Sequence, residues 1–199
     1  MKKLVAFFII FTSFFNIQLQ SYSTDPKFFV KELVSEAIEK LSDKSLTNEE
    51  KSNFIKKVAL ENVDIKALGL YTLGELRKSK NKEDIFKYQQ VFEKYFLKNL
   101  TSRLIDYSSS KFEVVSVDQK SSNYTIVNSK VLPGDGSLEI KIDWRIYTKN
   151  PNKPLIRDLI VEGLSLARTQ KEEFASILNS NNNSLEVLVQ KLEEFINKK

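Results

Sequence analysis

The 199-residue sequence contains no cysteine and no histidine. Without cysteine there are no disulfides, no zinc–thiolate sites and no cysteine nucleophile. Without histidine there is no Ser-His-Asp triad, no imidazole general base and none of the common catalytic zinc sites. Arginine is scarce as well, 5 residues against 26 lysines. Specific readout of phosphates or bases leans on arginine, so a lysine excess of this kind describes a solubilising surface. What is present is ordinary for a folded chain. Charged residues make up 29% and apolar residues 41%, a composition able to bury a core, at a length that suits one domain.

The first residues point to a compartment. Lys2 and Lys3 precede an apolar run from Leu4 to Ile17, broken only by Thr12, Ser13 and Asn16. A basic start, a short apolar stretch and a polar exit make a secretory signal peptide. The run falls short of the roughly 20 apolar residues of a membrane span. Ser21 and Ser23 offer small residues at −3 and −1, which places cleavage after Ser23. The expected organisation is a signal peptide over 1–23 and a single domain over 24–199. Removing 1–23 takes away two lysines and no acid, lowering the formal charge from +5 to +3. That is too weak to argue for nucleic acid.

The remaining chain reads as helices, strands and helices again. Asp25-Pro26 opens a helix carrying Val30, Leu33, Val34, Ala37, Ile38 and Leu41. Thr47 with Glu50 forms a capping box ahead of Phe54, Ile55 and Val58. Asp64 starts a third helix running through Leu68, Leu73 and Leu76. A fourth carries Ile85, Tyr88, Phe92, Tyr95, Phe96, Leu100, Leu104 and Tyr107 at three- and four-residue spacing. The period then changes to two over 112–117, 124–132, 138–147 and 155–161. Turns fall at 121–123, at Pro133-Gly134-Asp135-Gly136 and at Asn150-Pro151-Asn152-Lys153. Short turns between sequential strands mean an antiparallel meander. After Gly163 the helical period returns, with Phe174, Ile177 and Leu178 on one helix and Leu185, Leu188, Leu192 and Phe195 on another. The fold class that follows is α+β: a four-stranded antiparallel meander with helices packed on one face.

The third and fourth strands fix a register. With a four-residue loop at 150–153, Trp144 faces Leu159, Ile142 faces Val161 and Arg145 faces Asp158. A slip of one residue would lose all three matches. One face is then apolar, built from Ile140, Ile142, Trp144, Leu159 and Val161. The other carries the Arg145–Asp158 pair, which reads as a structural cross-strand pair more readily than as a catalytic acid and its partner.

Little chemistry survives elsewhere. Adjacent acids such as Glu49-Glu50 and Glu193-Glu194 point about 100° apart on a helix and cannot converge. Gly134-Asp135-Gly136 is a turn, with no Lys-Ser/Thr after it and no helix opening there. No catalytic, metal or cofactor site is expected. The aromatic residues stand out: 14 Phe, 7 Tyr and one Trp. They form either a core alone or a core around an apolar cavity between sheet and helices.

Several segments together resemble the MlaC family, periplasmic phospholipid-binding proteins also described as toluene-tolerance or ABC-transporter auxiliary proteins. Asp143-Trp144-Arg145, a hairpin, Asp158 and then Val161-Glu162-Gly163-Leu164-Ser165-Leu166 are similar to the family's C-terminal signature. Phe174-Ala175-Ser176-Ile177-Leu178, Leu73-Gly74 and the helix ending Leu104-Ile105-Asp106-Tyr107 fit as well. Trp144 stands where the family usually has Tyr, and Lys171 where it has Arg.

The resemblance implies a non-enzymatic periplasmic carrier. It would enclose phospholipid tails and shuttle the lipid between an outer-membrane lipoprotein complex and the substrate-binding ring of an inner-membrane ABC transporter. The protein is expected to act as a monomer. Register and helical period then nominate a lipid-binding lining of Phe92, Tyr95, Phe96, Ile142, Trp144, Leu159 and Val161, closed on one side by Leu166, Phe174 and Leu178. The alternatives are an exported α+β enzyme and an envelope interaction module without lipid.

Overall fold

The computed structural model describes residues 22–105, 110–133 and 138–198. The apolar run of the leader, Tyr107 and the turn at Gly134–Gly136 lie outside them. Seven helices and five strands follow in the order α1 (Pro26–Ser42), α2 (Asn48–Asn62), α3 (Ile65–Thr72), α4 (Leu76–Ser79), α5 (Lys82–Leu104), β1 (Ser110–Ser121), β2 (Tyr124–Pro133), β3 (Ile140–Tyr147), β4 (Leu155–Val161), β5 (Leu164–Ser165), α6 (Leu166–Asn179) and α7 (Leu185–Asn197).

Short polar side chains start the helices by accepting amide protons that have no partner in the first turn. Asp25 accepts from Lys27 and Phe28 with Pro26 in the first turn. Thr47 and Glu50 complete the capping box. Asp64, Asn81, Ser165 and Ser184 cap α3, α5, α6 and α7. The helix expected to run from Asp64 through Leu76 is interrupted. Gly74 takes φ +57°, a conformation that costs a side chain-bearing residue about 1–2 kcal/mol, so α3 stops and the short α4 begins.

The sheet is antiparallel, in the order β1-β2-β3-β4-β5. It has five strands where four were expected, because Leu164-Ser165 pairs with Val161 and Ile160. Two residues carry too little period-two pattern to be read as a strand. The Trp144↔Leu159, Ile142↔Val161 and Arg145↔Asp158 register is as expected. Beyond it the pairing shifts by one, so Ile146 meets Ile156. Arg157 is the extra residue of this bulge. Without the shift Arg157 would lie opposite Ile146 on the apolar face; with it, both isoleucines are buried there. A second shift, between Val114 and Ser116, keeps Val114 and Val117 on the side of Ser129 and Val127.

The core divides in two. One cluster is helical: Ile65, Leu73, Tyr88, Val91, Phe92, Phe174, Leu178, Leu185, Leu188, Val189 and Leu192. The other lies between α1 and the sheet: Phe29, Val30, Leu33, Val127, Trp144, Ile146 and Ile156. Val63 packs against both. Its backbone makes a parallel bridge to Ile156, so the α2–α3 link is seated on β4. Next to it the Arg157 guanidinium donates to Asp64 Oδ2 at 2.8 Å and to the Tyr124 hydroxyl at 2.7 Å, and stacks 3.4 Å over the Tyr147 ring. The bulge residue thus ties the start of α3 to the sheet.

Candidate functional site

Strand alternation places Phe112, Val114, Val127, Val131, Ile142, Trp144, Ile146, Ile156, Leu159 and Val161 on one face of the sheet. α1 covers part of this face. Val127 and Ile146 are wholly buried beneath it, and Ile156 and Trp144 nearly so. Towards the β4–β5 hairpin the covering thins. Ile140, Ile142, Leu159 and Val161 are only half-buried, as are Phe112 and Val114 on the far strand. Past them Leu164 is 68% exposed and Leu166 47% exposed. The apolar face therefore grades from sealed to open along β3 and β4.

Trp144 sits at the transition and is held in one orientation. Its indole N–H donates to Ser129 Oγ at 2.9 Å, and the Ser129 hydroxyl donates to the Ile142 carbonyl at 2.8 Å. Phe112 meets the indole edge-on, with ring centroids 6.3 Å apart. Ser129 is itself buried. It satisfies the one polar atom of a tryptophan that would otherwise be costly to bury.

The opposite face holds Asp158, buried to 4% exposure. It accepts from Arg145 Nη1 at 3.2 Å, from the Ser165 hydroxyl at 2.6 Å and from the Ala167 amide at 3.0 Å. The acid thus fixes the β4–β5–α6 connection and the start of α6. This is the structural reading of the pair. Among the described residues no group of acids could hold a metal ion.

The nominated lining residues separate into three places. Ile142, Trp144 and Leu159 lie in or against the sheet cluster, and Val161 continues that face. Phe92, Phe174 and Leu178 are buried in the helical cluster, with Tyr95 and Phe96 packed against it. There the rings meet one another: Phe92 stands edge-on to Phe174 at 6.2 Å, and Tyr95 lies 5.0 Å from Phe195. The Tyr95 hydroxyl donates to Gln170 at 3.0 Å, and burial raises its pKa, keeping it neutral. Leu166 is at the surface. Helix and sheet residues are each on the faces their periods assign, but the two faces meet different partners.

Two surface grooves lie apart from these residues. One, about 560 Å³, runs along α7 beside Gln190, Glu194 and Lys198. The other, about 280 Å³, lies between α3 and α5 at Lys66, Phe86 and Gln90. Neither includes a nominated lining residue. Phe29, Val30 and Leu33 of α1 and Val127, Ile146 and Ile156 of the sheet, which complete the buried cluster, were not nominated, nor was Phe112, packed against it. Their signal was present as the α1 stripe and the period of the strands. The bulge at Val115 breaks the alternation that would have marked β1's inward residues.

Fold and site together define an α+β protein whose antiparallel sheet presents a graded apolar face. The MlaC protein family matches residues 31–194, and the chain belongs to that family. Among solved structures it is similar to a phospholipid-binding protein from Ralstonia solanacearum, determined in complex with a phospholipid. The two superpose with a TM-score of 0.69 at 20% sequence identity, over 84% of this chain and 94% of the other. At that identity the likeness shows the fold. Comparison with curated proteins finds no match.

Proposed function

We propose that this protein is an exported phospholipid carrier that buries acyl tails against the apolar face of its sheet. The observation that carries the reading is the half-covered stretch Ile140–Ile142–Leu159–Val161 in a chain of the MlaC family. A water-soluble carrier must shield its cargo's tails. Two tails hold about 30 methylenes, so exposing them to water costs on the order of 20 kcal/mol at about 0.8 per methylene. An apolar sheet face with room at one end offers that shelter, while the headgroup stays hydrated at the mouth. The phospholipid-bound solved structure of the same fold supports this use of the scaffold.

Family membership supports a finer picture. The basic and apolar N-terminal segment serves as an export signal, and the carrier works in the periplasm. It exchanges lipid with an inner-membrane ABC transporter ring and an outer-membrane lipoprotein complex. Among the described residues no helix is long and apolar enough to cross a membrane.

The test is lipid extraction from the purified full-length product, with mass spectrometry of the extract. Phospholipid in stoichiometric amount is expected. Protein that yields none, and takes none up from phospholipid vesicles, overturns the reading.

A further inference from the structure

The small-residue rule places export cleavage after Ser23, which would remove Tyr22 and Ser23 from the mature protein. The structure gives both residues a part in the fold. The Tyr22 hydroxyl donates to Glu36 Oε2 at 2.5 Å, and its ring stands edge-on to Phe29 with centroids 6.2 Å apart. Tyr22 packs against the sheet cluster. The Ser23 amide donates to Glu32 Oε2 at 2.7 Å, and its hydroxyl accepts from the Asp25 amide at 3.2 Å. Phe29, Glu32 and Glu36 follow one another along a single stripe of α1. The segment ahead of Pro26 thus doubles back along the helix and holds it at three successive positions.

We infer that processing leaves Tyr22 on the mature chain, with Ser21–Tyr22 as the scissile bond. Ser21 supplies the small residue that a peptidase needs at −1, although Leu19 then occupies −3. Cleavage after Ser23 would leave Glu32 and Glu36 without these donors and uncover an edge of Phe29, a residue only 1% exposed. Cleavage ahead of Tyr22 removes the apolar leader and keeps every one of these contacts. This inference rests on the export reading, and its test separates the two.

The full chain with its leader is expressed in an exporting Gram-negative host, and the mature product is read by N-terminal sequencing and intact mass. A chain that retains Tyr22 is expected, heavier than one starting at Thr24 by a serine and a tyrosine residue. A start at Thr24 overturns the inference and leaves the export reading standing. An uncleaved product beginning at Met1 overturns both. A Ser23→Phe variant gives a second readout. A bulky residue at −1 blocks processing if the bond is Ser23–Thr24, whereas at +2 it is tolerated. Unchanged processing of Ser23→Phe is expected, and accumulation of its precursor overturns the inference. A product engineered to start at Thr24 is expected to melt below one starting at Tyr22; equal melting overturns the structural role given to these contacts.

Discussion

The two apolar clusters are built from similar residues and packed to different ends. In the helical cluster, α3, α5, α6 and α7 surround their side chains. Tyr88 is wholly buried, and its hydroxyl is bonded to Thr72 Oγ at 2.8 Å. Phe92 approaches Gly69 so closely that a Cβ there would lie 2.9 Å from the ring. The sheet cluster is sealed only under α1 and fades along β3 and β4 into half-buried residues. A protein that must both stay folded and receive an apolar ligand needs regions of both kinds. Close packing gives stability at each site, while incomplete packing leaves a surface for something else to cover.

The largest expected effect tests the sealed side. Phe174 is 2% exposed and touches the Phe92 and Tyr95 rings. Phe174→Ala should cost about 3–5 kcal/mol, since the cavity cannot collapse against rigid neighbours. Urea unfolding measures this. A loss under about 1 kcal/mol would break the comparison, because it would mean this cluster is as loosely packed as the sheet face.

This contrast marks how far the sequence could be read. Helical period identified Phe92, Phe174 and Leu178 as one stripe each, and strand alternation put Ile142, Trp144, Leu159 and Val161 on one face. Both assignments hold because each depends on local geometry. Which stripe meets which face does not follow from period. Phe92, nominated for the same lining as Trp144, packs against Phe96 and Phe174 within the helical cluster. The local irregularities were likewise out of reach. Arg157 looks like any polar strand residue until its bulge brings it to Asp64, ninety-three positions away. Leu164-Ser165 is a strand only because Val161 is there to pair with it.

An intermediate effect is expected at the transition between sealed and open. Ser129→Ala removes the acceptor for the buried Trp144 indole N–H and should cost about 1–3 kcal/mol. The same change frees the ring, so its near-ultraviolet circular dichroism should weaken and its fluorescence broaden. Ser129→Thr keeps a hydroxyl and should recover most of the signal. If Ser129→Ala leaves stability and spectra unchanged, the indole is not held by this bond.

A smaller cost is expected where the chain turns between α3 and α4. Gly74→Ala must accommodate φ +57°, with the Lys171 Cε 3.3 Å from the new Cβ. The lysine end is flexible and can yield, so the backbone term dominates, about 1–2 kcal/mol. Thermal unfolding reads it. An unchanged melting temperature would show that the turn relaxes to another conformation.

The smallest stability effect should carry the largest functional one. Leu159 pairs with Trp144 and is half-buried at the open end of the face. Leu159 is not fully buried, so Leu159→Trp should cost less than the about 1–3 kcal/mol of overpacking a filled core. If acyl tails lie on this stretch, the added indole occupies their place, and co-purified phospholipid should fall severalfold by mass spectrometry. Val161→Glu sharpens the point by a different route. A carboxylate beside the tails must stay hydrated or become neutral, and either outcome disfavours the lipid-filled state. Phe174→Ala is the control: it should lose stability yet retain lipid while folded. A folded Leu159→Trp protein with full lipid occupancy would move the cargo off the sheet face and leave the graded packing there without a function.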